Sequence, residues 1–133
     1  AHVAAAVIDK GYQAKKNNVN QIQIWGDGMA RREFMYAGDL AEAIIRSINY
    51  FDELPKYMNI GSGVDMTINE YYKEVAKVIG FTGNFTHDET KPVGMIRKIV
   101  NVDLQNKWGW QPKISLEVGL KKTYEFYLNE IAK

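Results

Sequence analysis

Stretches with apolar residues at helical spacing alternate along this sequence with runs too short to build a large sheet. The strongest helical signal opens at Thr67, three residues ahead of Glu70. A hydroxyl and a carboxylate at that spacing satisfy each other's end of the first turn, a capping box. Behind it Ile68, Tyr71, Tyr72, Val75, Ala76 and Ile79 fall on one side of a helix, and Gly80 suits its C-terminal cap. Val3, Ala6, Val7 and Ala14 predict a helix from Val3 to about Lys16. Asp39 predicts another cap, with Glu42 closing the box ahead of a buried stripe of Leu40, Ile44, Ile45, Ile48 and Phe51. Ser115 predicts the cap of a last helix striped by Leu116, Leu120, Tyr124, Tyr127, Leu128 and Ile131.

The intervening runs read as strands. Gln21 to Trp25 alternates, with Ile22 and Ile24 on one face. Arg32 to Tyr36, Tyr57 to Ile60, Asn84 to His87 and Arg97 to Val102 are further short strands, and Leu104 to Trp108 is a helical turn. The expected fold class is α/β, or an α+β-like fragment, with one small sheet that belongs to a larger one. The 133 residues, 46% of them apolar, suit a single core with no second domain over 1–133. A net charge of +1 gives no reason to expect nucleic acid or an acidic membrane surface as partner. With no cysteine there is no disulfide, thiolate metal site or cysteine nucleophile, which fits a cytoplasmic location. No apolar run approaches the roughly 20 residues that cross a bilayer. Ala1-His2-Val3 opens directly on a helical pattern, as in a chain whose beginning lies upstream.

A dinucleotide site needs a strand, Gly-x-Gly-x-x-Gly and a helix N-terminus that receives the pyrophosphate. Gly26-Asp27-Gly28 is followed by Arg31, and Gly61-Ser62-Gly63 by Met66, where the third glycine should stand. Both read as turns, so no cofactor site is expected in this chain. Tyr12 and Lys16 share the spacing of a reductase proton-transfer pair but sit at a helix end before a charged turn, and read as coincidence. His2 and His87 lack carboxylates at ligand spacing, so no metal is expected. The chemically richest stretch is Trp25-Gly26-Asp27-Gly28-Met29-Ala30-Arg31-Arg32-Glu33-Phe34. An indole at a strand end can offer its face to a base, and adjacent guanidiniums can grip a diphosphate. Arg97-Lys98, after the turn Lys91-Pro92-Val93-Gly94, supplies a second basic pair. Spacing alone fits two descriptions: a nucleotide diphosphate held between two loops, or a core tryptophan with solvated arginines.

Trp25-Gly26-x-Gly28, Arg32-Glu33-Phe34, Asp39-Leu40-Ala41, Asn59-Ile60-Gly61-Ser62-Gly63, Lys91-Pro92-x-Gly94-x-x-Arg97-Lys98, Gly109-Trp110 and Ile114-Ser115-Leu116-Glu117-x-Gly119-Leu120 occur in that order. Together they resemble the C-terminal portion of the GDP-L-fucose synthase family of extended short-chain dehydrogenase/reductases. The resemblance implies an NADPH-dependent epimerase and reductase of GDP-4-keto-6-deoxy-mannose. It implies that His2 is the general acid of epimerisation, a role for which imidazole is suited by a pKa near neutrality. Val3, Trp25, Arg32 and Lys98 match positions that contact GDP. It also implies a homodimer and an N-terminal Rossmann half that carries NADP, the catalytic serine and the tyrosine–lysine pair, so that this chain alone would be inactive. The Asp39 and Thr67 helices would then expose apolar surface, and the Asp39 helix and the Asn59 strand would dock on that half.

The chain departs from the family pattern at Ala4-Ala5, where Ile-Pro is usual, and at Val93, Met95 and Ile96, where Asp, Thr and Pro are usual. These changes leave the sugar open to another GDP-deoxysugar or a GDP-heptose. An enzyme for a different nucleotide sugar and a stand-alone nucleotide-sugar binding module are the competing readings.

Overall fold

The computed structural model describes residues 3–132. In chain order the elements are α1 (Val3–Lys16), β1 (Gln21–Trp25), β2 (Arg31–Glu33), α2 (Ala37–Asn49), β3 (Asp65–Thr67), α3 (Ile68–Ile79), β4 (Asn84–Asp88), β5 (Arg97–Lys98), α4 (Asp103–Lys107) and α5 (Leu116–Glu130), with a single 3₁₀ turn at Phe51–Glu53. The strands form two small sheets where one was expected. β1 pairs with β4 in parallel, and β2 lies between β3, antiparallel to it, and β5, parallel to it. A parallel pair needs a long connection to bring the chain back to the same end. The stretch from β2 through α3 is that connection for β1 and β4.

Alternation in β1 turns Ile22 and Ile24 inward and leaves Gln21, Gln23 and Trp25 outside. The inward pair packs with Val7, Ile8 and Ala14 of α1, with Tyr71, Tyr72, Val75 and Ile79 of α3, and with Leu120 and Tyr127 of α5. Burying each of the larger side chains contributes about 1.5–3 kcal/mol. Gly11 lets α1 and α3 approach, since a Cβ there would stand 2.7 Å from Ile79 Cδ1. The Tyr127 hydroxyl donates to Asp9 across the α1–α5 contact, and burial, with Asp9 second, pushes its phenol up to about 12. Phe34 stacks on Tyr71 with ring centres 3.8 Å apart, tying the end of β2 to α3. The Thr67–Glu70 capping box, the left-handed Gly80 cap and the Ser115 cap all form as the sequence predicts.

Other expectations are corrected. α2 begins at Ala37 with no side-chain cap. Asp39 is buried and accepts the Ile114 amide at 3.1 Å, while Glu42 pairs with Lys113 at 2.6 Å. Both carboxylates therefore tether α2 to the segment before α5. The predicted buried stripe of α2 faces outward: Ile45 is 61% and Ile48 70% exposed, and Leu40, Ile44 and Phe51 are exposed with them. Helical periodicity says which face is apolar, not what covers it. α3 behaves oppositely, its apolar face lying in the core, so the expectation that it too exposes apolar surface fails.

The run from Tyr57 to Ile60 forms no strand, because no neighbouring backbone pairs with it. β2 stops at Glu33, matching the three residues that β3 supplies, and β5 pairs with β2 over Arg97 and Lys98 alone, so both are shorter than expected. No described helix is long and apolar enough to cross a membrane.

Candidate functional site

The small sheet of β2, β3 and β5 decides which cations can meet a ligand. Successive side chains of a strand point to opposite faces. Arg31 is registered with Arg97 and Arg32 with Lys98, so each adjacent basic pair is split between the two faces. On the first face Asp65 binds both guanidiniums: Arg31 Nε and Nη2 reach Asp65 Oδ1 at 3.1 and 3.0 Å, and Arg97 Nε reaches Oδ2. The Asp65 side chain is only 6% exposed. Its carboxyl is held below the usual carboxylate range by Arg31 first and then Arg97, and the same bond raises Arg31. Arg31 and Arg97 are thus structural cations. The expectation that Arg31 and Arg32 grip a diphosphate together is corrected by this register.

Arg32 and Lys98 occupy the other face, and no described carboxylate forms an ion pair with either. Arg32 Nη1 donates to the Arg31 carbonyl at 2.7 Å, which orients its guanidinium. Two cavities meet at this face. One, of about 310 Å³, is lined by Val3, Val7, Lys10, Trp25, Arg32 and Val93 among others. The second, of about 510 Å³, is lined by Val3, Arg32, Glu33, Phe34, Gly61 and Lys98 among others. Val3 and Arg32 belong to both, so the cavities are neighbours with Arg32 at their junction. Of the residues singled out in the sequence, Val3, Trp25, Arg32 and Lys98 come together here. His2 lies outside the described residues.

Trp25 ends β1 and is 56% exposed, so the description of it as a core residue is corrected. The turn that follows is fixed by Gly26 and Gly28, at φ 71° and 70°. A Cβ on Gly28 would collide with the Asn69 carboxamide, and one on Gly26 would stand 2.5 Å from Val93 Cγ2. That second contact sets the loop between β4 and β5 against the end of β1. It brings Lys91 to 5.8 Å from the centre of the indole, while Lys10 of α1 stands at 5.4 Å.

Sequence reasoning missed Lys10 and Lys91 as neighbours of Trp25. Val3, Val7 and Lys10 share one helical face by their spacing, which was a usable signal. Lys91 belongs to the Lys91-Pro92-x-Gly94 motif, but its spacing from Trp25 gives no sign that the two meet. Also unforeseen is Glu33, whose carboxylate accepts from Ser62 Oγ, Gly63 N and Val100 N and so holds the Gly61–Gly63 turn beside Lys98.

That turn does not suit a dinucleotide pyrophosphate. The Gly61 amide donates to Gln105 and the Gly63 amide to Glu33, and the chain runs on into β3, not into a helix N-terminus. Among the described residues no three His, Cys, Asp or Glu side chains gather closely enough to hold a metal ion. Tyr12 packs edge-on to Tyr127 at 5.3 Å between ring centres, part of the α1–α5 contact.

Comparison with known proteins shows what these features are similar to. The sequence model of the NAD dependent epimerase/dehydratase family matches residues 1–61. The fold is that of part of an extended short-chain dehydrogenase/reductase: the GDP-mannoheptose C4 reductase of Campylobacter jejuni, solved with NADP, superposes with a TM-score of 0.82 at 28% identity, over 96% of this chain and 45% of that one. The chain is, over nearly its whole length, a relative of the GDP-L-fucose and GDP-L-colitose synthases within that class. It is 48% identical to the GDP-L-colitose synthase of Yersinia pseudotuberculosis over 130 residues, 98% of this chain and 42% of that protein. It is 41% identical to the GDP-L-fucose synthase of Azorhizobium caulinodans over 133 residues, 98% of this chain and 43% of that protein. The chain thus spans about two fifths of the length of the curated relatives it matches.

Proposed function

We propose that this chain is the nucleotide-sugar-binding part of an NADP-dependent GDP-4-keto-6-deoxy-mannose epimerase and reductase. The observation that carries the reading is the pairing of Arg32 and Lys98 on one sheet face, at the junction of an apolar cavity bordered by an exposed indole and a second cavity beyond it. In this reading the base lies by Trp25, Arg32 and Lys98 neutralise the diphosphate, and the sugar extends along the Lys98 side. A guanidinium meets phosphate oxygens in a planar, two-pronged contact, whereas the lysine ammonium acts as a point charge. Asp65 serves the site indirectly, since by occupying Arg31 and Arg97 it keeps β2 and β5 in the register that aligns the other two cations.

His2 is the proton donor of this reading, by the family resemblance. The Gly61–Gly63 turn does not fit NADP, so hydride delivery is assigned to a dinucleotide-binding half that this chain does not supply, and the chain by itself is expected to have no reductase activity. GDP-L-colitose synthesis is a second reading of the same site, favoured by the 48% identity to the Yersinia protein.

The test is calorimetric titration of the purified chain with GDP and with UDP. GDP should bind more tightly than UDP, and Arg32→Lys and Lys98→Ala should each weaken GDP about tenfold, the loss of roughly one charged hydrogen bond. Unchanged affinity in both variants, or equal affinity for UDP, overturns the assignment.

A further inference from the structure

The strand that carries Lys98 is too short to fix a side chain by its own ladder. β5 pairs with β2 over Arg97 and Lys98 alone. A segment held by so few hydrogen bonds opens locally at little cost in free energy. Ahead of Lys98 the chain is tied twice: the Arg31 amide donates to the Ile96 carbonyl at 2.8 Å, and Arg97 is bound to Asp65. Behind Lys98 the backbone pairing has ended, and a side chain continues it. The Val100 amide donates to Glu33 Oε2 at 3.1 Å.

Glu33 reaches that amide from the end of β2, one residue after Arg32. Its other oxygen, Oε1, accepts the Gly63 amide at 2.9 Å and the Ser62 hydroxyl at 3.2 Å. One carboxylate therefore joins β2 both to the continuation of β5 and to the Gly61–Gly63 turn. The junction is tight: a Cβ on Gly61 would stand 2.2 Å from Glu33 Oε1 and 2.6 Å from Val100 Cγ2. Among the described residues Glu33 is the only acid lining the second cavity, which Arg32 and Lys98 also line. It nevertheless forms an ion pair with neither. An ionised carboxylate only accepts hydrogen bonds, and here three neutral donors engage it, so both cations stay available to an anion.

We propose that Glu33 is the positioning residue of Lys98: by carrying the β2–β5 pairing past its last backbone partner, it holds Lys98 on the face of Arg32, so that the two cations act together on one diphosphate. This rests on the nucleotide-binding reading above and adds the group through which the second cation is held. The effect of Glu33 on binding passes through Lys98, and disappears when Lys98 is removed.

The experiment is a double-mutant cycle read by calorimetric titration with GDP, over the parent, Lys98→Ala, Glu33→Gln and the double variant. Glutamine keeps the size of Glu33, but its amide nitrogen donates and cannot accept from Val100 or, turned round, from Gly63 and Ser62. Glu33→Gln should weaken GDP about fivefold in the parent and stay within about twofold in the Lys98→Ala background, the non-additivity of two residues that act as one unit. The urea midpoint should fall equally in both backgrounds, which separates lost stability from lost positioning. Ser62→Ala leaves the Val100 link intact and should bind GDP within about twofold of the parent. Glu33→Asp, shorter by one methylene, goes through the same cycle with the same pattern expected, so the comparison stands even where Glu33→Gln does not fold. An equal loss of GDP affinity in both backgrounds would make Glu33 a support independent of Lys98 and overturn the proposal. Undiminished affinity in Glu33→Gln would overturn it too, as would a loss in Ser62→Ala as large as that in Glu33→Gln. If GDP does not bind the parent, or binds Lys98→Ala as tightly, the nucleotide-binding reading itself fails and the positioning role falls with it.

Discussion

Gln105 offers a direct test of how the site's second cavity is held in shape. Its side chain on α4 is 1% exposed, with Oε1 accepting the Gly61 amide at 2.8 Å and Nε2 donating to the Gly61 carbonyl at 3.0 Å. Gly61 is itself buried, and a Cβ there would collide with Glu33 and Val100, so the turn cannot move aside easily. Gln105→Ala leaves one buried donor and one buried acceptor without partners. Each costs about 1–3 kcal/mol, so the variant should lose about 2–6 kcal/mol, a large share of the roughly 5–15 kcal/mol that a domain has. Urea unfolding followed by far-ultraviolet dichroism measures it as a lowered midpoint at unchanged slope.

Gln105→Glu sharpens the result. A carboxylate can still accept from the Gly61 amide but repels the Gly61 carbonyl unless it binds a proton. Its folded pKa is then raised above the unfolded value, so its contribution is fully present below the ordinary glutamate pKa of about 4.3 and lost as pH rises through the higher folded value. The deficit of Gln105→Glu relative to the parent should therefore be small near about pH 4 and large near about pH 7. A Gln105→Ala loss below about 1 kcal/mol, or a Gln105→Glu deficit independent of pH, would refute this account of the turn.

Two further outcomes follow from the packing and the charge cluster. Ile79→Ala, at a site 2% exposed in α3, should cost about 2–5 kcal/mol, whereas Ile48→Ala on the outward face of α2 should stay within about 0.5 kcal/mol of the parent; similar unfolding midpoints for the two would contradict the assignment of the core to the α1–α3–α5 side. Asp65 titrates below the usual carboxylate range because of Arg31 and then Arg97, so its stabilisation is complete above the ordinary aspartate pKa of about 3.9 and is lost as pH falls through the lower folded value. Asp65→Asn should accordingly flatten the acid side of the stability–pH curve, and an unaltered acid limb would remove Asp65 from the role of clamp.

Local chemistry was legible wherever its partner lies within a few residues. Thr67 and Glu70 are three apart, and a capping box needs nothing else to form; Gly80 and Ser115 likewise mark the helix ends they occupy. The alternation of Ile22 and Ile24 fixes which side of β1 is buried, because a strand has only two faces. The ordered motifs also carry the family resemblance, which the matches to GDP-L-fucose and GDP-L-colitose synthases uphold. Trp25, Arg32 and Lys98 could be named as a set from those motifs, although nothing in their spacing brings them together.

Tertiary structure decided whatever depends on a distant surface. Asp39 and Glu42 have the spacing of a capping box, yet Ile114 and Lys113, more than seventy residues away, claim both carboxylates. The α2 stripe is as regular as that of α3 but faces outward, since α1, α3 and α5 bury one another and leave it uncovered. Arg31 and Arg32 are indistinguishable as a dipeptide; only the pairing of β2 with β3 and β5 gives Arg31 to Asp65 and turns Arg32 toward the cavities. Lys10 and Lys91 meet at Trp25 because the packing of Val93 on Gly26 closes a loop over a strand end. The sequence by itself settles periodicity, caps and turns, which are short-range properties of the backbone, whereas burial and the choice of ionic partner belong to the surfaces that long-range packing brings together.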